Sequence, residues 1–243
     1  MRIIHFSDSH ISQDKPERDK DFEACVHRAN SISPPADVVI HTGDISHDGH
    51  RQEYATAQKI LEKLNIPSFV IAGNRDNRTE LINTFADGQY IRRGDKFIQY
   101  CVNEFPVRLI LLDTVNASGN TGSASGSNKG RFCSERLAHL ESMLAADSSR
   151  PVAIFMHHSP FEATAIPDPF QFERWQEVER FHELLAAYKQ VAGIYCGHIH
   201  RNAGVAIGGI RIQAITCMAC DLRKGELTDK ERSEPVINVI DLP

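Results

Sequence analysis

The chain has 243 residues, 41 % hydrophobic and 24 % charged, with 27 Lys and Arg against 32 Asp and Glu for a net charge of −5. That composition excludes a disordered chain, and no apolar run approaches the roughly 20 residues of a helical membrane span. The acidic balance argues against a stable nucleic-acid complex, which needs a basic face.

In chain order, Arg2–Phe6 predicts a short strand that meets polar Ser7-Asp8 too early for a signal-peptide core. Phe22, Cys25, Val26, Ala29 and Ile32 recur at helical spacing. Asp37–His41 predicts a buried strand stopping at Thr-Gly-Asp, and Tyr54, Ala57, Ile60, Leu61 and Leu64 predict a second amphipathic helix closed by Asn65-Ile66-Pro67. Ser68–Ala72 and Arg108–Leu112 are further strands. The stretch 116–130, rich in Gly, Ser and Asn, predicts a mobile surface loop, and Ser134 is the expected N-cap of a helix carrying Leu137, Leu140 and Leu144. Pro151–Met156 predicts a strand, and Trp175, Val178, Phe181, Leu184, Leu185 and Tyr188 the longest helical stripe. Between them, 161–175 sets Phe161, Phe170, Phe172 and Trp175 among prolines. That segment suits a lid or a stacking surface for a base as well as it suits plain packing. Val191–Cys196 is a strand, and Val205–Ala219 and Val236–Ile240 read as C-terminal strands.

Strands alternating with helices imply one α/β domain over 1–243, a sheet with helices packed on it. The six cysteines of a chain this long read as reduced thiols and, with the start of the chain, point to the cytoplasm. Cys217-Met-Ala-Cys220 has no second pair to complete a zinc ribbon and reads as packing.

The polar residues at the strand ends form a pattern. Asp8 and His10 follow the first strand, Asp44 the second, Asn74 the third, His157 a later one, and His198 and His200 the last. Taken singly, each has an ordinary explanation: Gly43-Asp44 and Gly73-Asn74 as turns, His157 as a core histidine. Together they place seven oxygen and imidazole donors on the rim where open α/β sheets bind ligands. Hard oxygens with imidazoles and no thiolate suit two divalent ions, Mn, Fe or Zn.

Asp8-Ser-His10, Gly43-Asp44, Gly73-Asn74-Arg75-Asp76, His157 and Gly197-His198-Ile-His200, in that order, resemble the calcineurin-like metallophosphoesterases from residue 3 to about residue 220. Gly43–Gly49, Leu112-Asp113-Thr114, Gly130-Arg-Phe, His157-His158-Ser-Pro160 and Gly197–Arg201 are similar to the class III cyclic nucleotide phosphodiesterase and glycerophosphodiesterase group. The resemblance implies a four-layer α-β-β-α sandwich, two sheets flanked by helices. One ion would be held by Asp8, His10, Asp44 and His200, and the other by Asp44, Asn74, His157 and His198, with Asp44 bridging. It also implies in-line hydrolysis by a metal-activated hydroxide without a phosphoenzyme. The expected substrate is a small phosphodiester, with 3′,5′- or 2′,3′-cyclic nucleotides first and glycerophosphodiesters or phosphomonoesters as the alternative. All seven ligand positions are filled, which disfavours a non-catalytic scaffold, and a homodimer stays open. His157 is chosen as ligand because it ends its strand, leaving His158 for substrate or support. One position departs: the family reads Gly-Asn-His-Asp, with the histidine protonating the leaving oxygen, where this chain has Arg75. A guanidinium keeps its proton near neutrality and cannot be a general acid, but it can fork two donors onto phosphate oxygens. Asp44, Asn74 and Arg75 are therefore the expected catalytic residues, Asn74, Arg75 and His158 the expected substrate contacts, and His47 and His158 the candidate replacement acids. His47 reads equally well as a group orienting a ligand; the lesser reading of Arg75 is a simple ion pair with Asp76 or another surface carboxylate.

Overall fold

The computed structural model describes residues 1–116 and 128–243, so most of the loop expected at 116–130 lies outside the described residues. In chain order the elements are β1 (Arg2–Phe6), α1 (Glu17–Ser31), β2 (Val38–His41), α2 (Arg51–Leu61), β3 (Ser68–Val70) and α3 (Arg78–Phe85). Then come β4 (Tyr100–Val102), β5 (Arg108–Leu112), α4 (Ser134–Ala145), β6 (Val152–Met156), α5 (Trp175–Ala186) and β7 (Val191–Cys196). The tail adds β8 (Ala203–Ile207), β9 (Ile210–Ala214), α6 (Asp229–Ser233) and β10 (Asn238–Asp241).

Two sheets result. One has the order β10-β1-β2-β3, the other β4-β5-β6-β7-β9-β8. β1, β2 and β3 run parallel, as do β5, β6, β7 and β9, while β10, β4 and β8 join antiparallel at the edges. The near-continuous apolar runs of the parallel strands follow from burial on both faces. On β5, Leu109 and Leu111 pack with the first sheet and its helices, whereas Ile110 and Leu112 pack with Leu140 and Leu144 of α4 and Phe181 of α5. β6 divides the same way, with Ala153 and Phe155 on one side and Ile154 and Met156 on the other. Phe22, Ala57 and Leu81 bring α1, α2 and α3 against the first sheet. The layers are therefore helices, sheet, sheet, helices.

The differences from expectation are local. Ser134 is the first residue of α4 and not its cap; Cys133 holds the cap position with no side-chain bond. Between Ala214 and Asn238 the tail makes a short 3-10 turn at Cys220–Leu222 and α6, whose start is closed by a reciprocal Thr228–Glu231 capping box. β4 and α3 carry little sequence signal: three residues are too few for alternation, and α3 offers only Asn77 three residues before Glu80 and the short stripe Leu81, Ile82 and Phe85. All six thiols are free, and Cys217 donates to the Ala219 carbonyl. Among the described residues no helix is long and apolar enough to cross a membrane.

Candidate metal centre

Parallel strands in both sheets end on one rim, and the loops leaving them carry all seven expected donors. Backbone bonds lace these loops together. Asp8 N–H donates to Gly43 O (3.0 Å), His10 N–H to Asp44 O (2.9 Å) and Gly197 N–H to His157 O (3.1 Å). Asp8, His10, Asp44, His198 and His200 have φ of 57, 46, 51, 70 and 56° and are the non-glycine residues with positive φ among those described. Such backbone costs about 1–3 kcal/mol per residue and survives where surrounding structure enforces it, commonly at functional sites. Two glycines make the approach possible. A Cβ on Gly73 would collide with Asp44 Oδ1, and one on Gly197 with Ser7 Oγ.

The donor atoms fall into two sets. In the first, His200 Nε2 lies 3.3 Å from Asp8 Oδ1 and 3.2 Å from His10 Nε2, which is 3.5 Å from Asp44 Oδ2. In the second, Asn74 Oδ1 lies 3.0 Å from His157 Nε2 and 2.9 Å from His198 Nδ1, and His157 Nε2 lies 3.5 Å from Asp44 Oδ1. Asp44 thus turns one oxygen to each set. Donors about 2.1 Å from a common ion stand about 3.0–3.4 Å apart in octahedral or tetrahedral arrangements, and these separations fit. The Asp8 Oδ1 atom is buried without a hydrogen-bond partner, a costly state that a cation would relieve.

The imidazoles are held in ligand-ready form. His157 Nδ1–H donates to Thr42 O (2.8 Å) and His200 Nδ1–H to Leu222 O (3.0 Å), which leaves both Nε2 lone pairs facing inward. Burial lowers the pKa of His157 and drives those of His10 and His198 far down, favouring neutral rings; at His200 burial is outweighed by the adjacent Asp8 and then Asp44 carboxylates, and its pKa is raised. Burial would also raise Asp8, but His200, His157 and His10 outweigh it and hold the carboxyl well below its usual range. Asp44 is pushed well above that range by burial and then by the Asp8 and Asp76 carboxylates.

A buried chain of hydrogen bonds steers Asp8. His5 Nε2 lies 2.9 Å from Thr42 Oγ1, which donates to Ser7 Oγ (2.8 Å), which in turn donates to Asp8 Oδ2. The sequence signal for this chain is a histidine inside an otherwise apolar strand, which strand periodicity alone does not single out. Asp76 takes no part in the donor sets. Its carboxylate accepts N–H bonds from Gly73 (2.8 Å), Ser46 (3.0 Å) and Ile45 (3.3 Å) and the Tyr54 hydroxyl (3.1 Å), stapling the Asp44 loop to the Asn74 loop; burial raises its pKa to about 6.

Arg75 N–H donates to Asp44 Oδ1 (2.8 Å), and among the described residues no ion pair holds its guanidinium, which lies close enough to His47 to lower that imidazole's pKa, after burial and Arg18. An ion pair with Asp76 is not formed. His158 lies with His157 and His198, but both its ring nitrogens are engaged: Nδ1 accepts from Thr114 Oγ1 (2.7 Å) and Nε2–H donates to Asn128 O (3.1 Å). It supports the wall formed by 128–130, where Gly130 bridges Phe172. In the 161–175 segment Phe161 and Phe172 are buried, whereas Phe170 is 40 % exposed and meets the Trp175 ring edge-on at 5.1 Å.

Comparison with known proteins agrees with this architecture. The sequence profile described as calcineurin-like phosphoesterase matches residues 1–202. A probable glycerophosphodiester phosphodiesterase of Arcobacter nitrofigilis is 30 % identical over 208 residues, 83 % of this chain and 72 % of that protein. A 3′,5′-cyclic adenosine monophosphate phosphodiesterase of Pseudomonas aeruginosa is 25 % identical over 219 residues, 87 % and 74 % of the two chains. In fold, a dimetal phosphatase from Danio rerio superposes with a TM-score of 0.72 at 15 % identity, covering 90 % of this chain and 88 % of that one.

Proposed function

The chain belongs to the calcineurin-like phosphoesterase family, and on that premise we propose that it hydrolyses small phosphodiesters, cyclic nucleotides first, at the cluster around Asp44. The observation that carries this reading is the division of Asp44 between two donor sets, each built from oxygen and imidazole without thiolate. Asp8, His10, Asp44 and His200 would hold one divalent ion, and Asp44, Asn74, His157 and His198 the other, with Mn, Fe and Zn as the ions such donors suit. When bound, such ions supply Lewis acidity toward phosphoryl oxygens and lower the pKa of water.

The side chains do the rest. Asn74 presents Oδ1 to the second set, which frees its amide N–H groups to donate to a phosphoryl oxygen. The Arg75 guanidinium, free of ion pairs with described residues, forks onto the remaining oxygens and balances charge that builds during attack. It does not protonate the leaving group, so the site favours diesters whose leaving oxygen departs readily. Thr42 O and Leu222 O hold His157 and His200 in one tautomer throughout.

Relatives named for cyclic nucleotides and for glycerophosphodiesters both support a diester substrate. The 30 % identity to the Arcobacter protein favours glycerophosphodiesters as the second reading. A panel of 3′,5′-cyclic, 2′,3′-cyclic, glycerophospho and monoester substrates, run with Mn²⁺, Zn²⁺ and Fe²⁺, tests the proposal. The highest kcat/KM is expected on cyclic nucleotides. A glycerophosphodiester preference would select the second reading, and hydrolysis of monoesters alone would overturn both.

A further inference from the structure

Three imidazoles turn Nε2 into the donor sets, and in two of them a carbonyl fixes the opposite nitrogen: Thr42 O for His157 and Leu222 O for His200. A carbonyl only accepts, so it permits one tautomer. His10 is different. Its Nδ1 lies 3.3 Å from Nδ1 of His47, with the ring centroids 5.3 Å apart and the planes at 68°. An imidazole nitrogen can accept or donate, so two proton arrangements exist here.

In one, His47 Nδ1–H donates to His10 Nδ1, and His10 Nε2–H donates to His200 Nε2 at 3.2 Å. That arrangement satisfies the nitrogens internally and closes the first donor set to a cation. In the other, His10 Nδ1–H donates to His47 Nδ1, and the His10 Nε2 lone pair opens toward Asp44 Oδ2 and His200 Nε2. We propose that His47 is a positioning residue for the Asp8, His10, Asp44 and His200 set, accepting the His10 Nδ1 proton and thereby holding the His10 Nε2 lone pair open to a divalent cation. The backbone supports the placement: His47 N–H donates to Ile11 O at 2.9 Å, which sets the His47 loop beside the loop carrying His10. His10 is buried and His47 only partly so, which makes His47 the exchangeable member of the pair.

The inference rests on the metal-centre reading, and its test separates the two. Metal-stripped full-length protein is titrated with Mn²⁺ in a calorimeter, for the wild type, His47→Phe and His47→Asn. His47→Phe keeps a ring but offers no acceptor; His47→Asn restores an acceptor oxygen near the place of Nδ1. The wild type is expected to bind two ions. His47→Phe should bind one of them about 10- to 100-fold more weakly, the usual cost of losing such a supporting hydrogen bond, and the other unchanged, while His47→Asn should recover most of the loss. Thermal midpoints of the metal-free proteins check folding, and His47→Ala, with the same expected loss, replaces His47→Phe if the larger ring lowers the midpoint. Wild-type affinity at both sites in every acceptor-lacking variant, or a His47→Asn protein as weak as these, would overturn the role of His47. A wild type that takes up no Mn²⁺ would overturn the metal centre itself.

Discussion

Asp44 is placed to fail conspicuously when altered. Its two oxygens serve different donor sets, its backbone sits at a φ of 51°, and the Arg75 N–H already occupies one lone pair of Oδ1. Asp44→Asn keeps the shape but replaces one oxygen by an amide nitrogen and removes the charge that a cation needs most. Bound metal should fall below two ions per chain, and kcat/KM should drop about 10³-fold, or about 4 kcal/mol of transition-state stabilisation. Metal analysis beside steady-state kinetics checks this, and two retained ions with near-normal turnover would refute the bridge. In the role proposed for it Arg75 meets substrate charge and not the ions, so Arg75→Ala should leave metal content intact while lowering kcat/KM on diesters about 10²- to 10³-fold. Arg75→Lys should recover only part, because an ammonium restores charge without the planar fork. An Arg75→Ala enzyme with unaltered efficiency on every diester tested would remove Arg75 from the site.

At the scale of elements, the loops hold their shape through Asp76. Asp76→Ala would leave the N–H groups of Gly73, Ser46 and Ile45 unpaired in the interior. At about 1–3 kcal/mol for a buried unmade bond, a loss of about 3–5 kcal/mol is expected, or roughly 6–20 °C in Tm for a chain of this size. Calorimetric scans of metal-free protein measure it, and a shift under 2 °C would mean that the loops are held otherwise. Asp76 also shows where sequence reading stops. The clustering of the donors was legible because each lies within a few residues of the end of an apolar run, such as Asp44 after Val38–His41 and His157 after Val152–Met156, and parallel strands buried on both faces announce themselves by composition. What fixes the donors was not legible. The partners of His157 and His200 are backbone carbonyls, whose position owes nothing to the identity of Thr42 or Leu222, and His47 meets His10 across 37 residues of chain. β4 and α3 escaped for a related reason: their place depends on β5 pairing and on Asn77, which caps α3 through Thr79 N–H (3.0 Å), not on any sustained period of their own.

Across the whole molecule, one buried carboxylate joins helices from both outer layers. Asp113, at the end of β5, takes Arg78 of α3 through Nε (2.8 Å) and a second guanidinium nitrogen (2.9 Å), and Arg136 of α4 through Nη1 (3.3 Å); it also accepts the Ile98 N–H at 2.9 Å. Burial alone would raise its pKa, but Arg78 and then Arg136 outweigh it and hold Asp113 below the ordinary carboxylate range. The sign follows from proton binding. Between the lowered folded value and the unfolded value of about 3.9 the unfolded chain binds more protons, so stability rises with pH through that window and is complete above it. Asp113→Asn removes the charge and leaves two guanidinium groups facing a neutral amide, a change worth about 3–5 kcal/mol for a buried pair stripped of one partner. The variant should therefore melt roughly 6–20 °C below the wild type at neutral pH. That gap should stay level between pH 5 and 7, where the wild-type carboxylate is ionised in both states, and narrow as pH falls below about 4. Comparing the two proteins, both metal-free, cancels the histidine-rich cluster from the difference. A gap that does not narrow in acid would show that the charge of Asp113 does not couple the two helical layers.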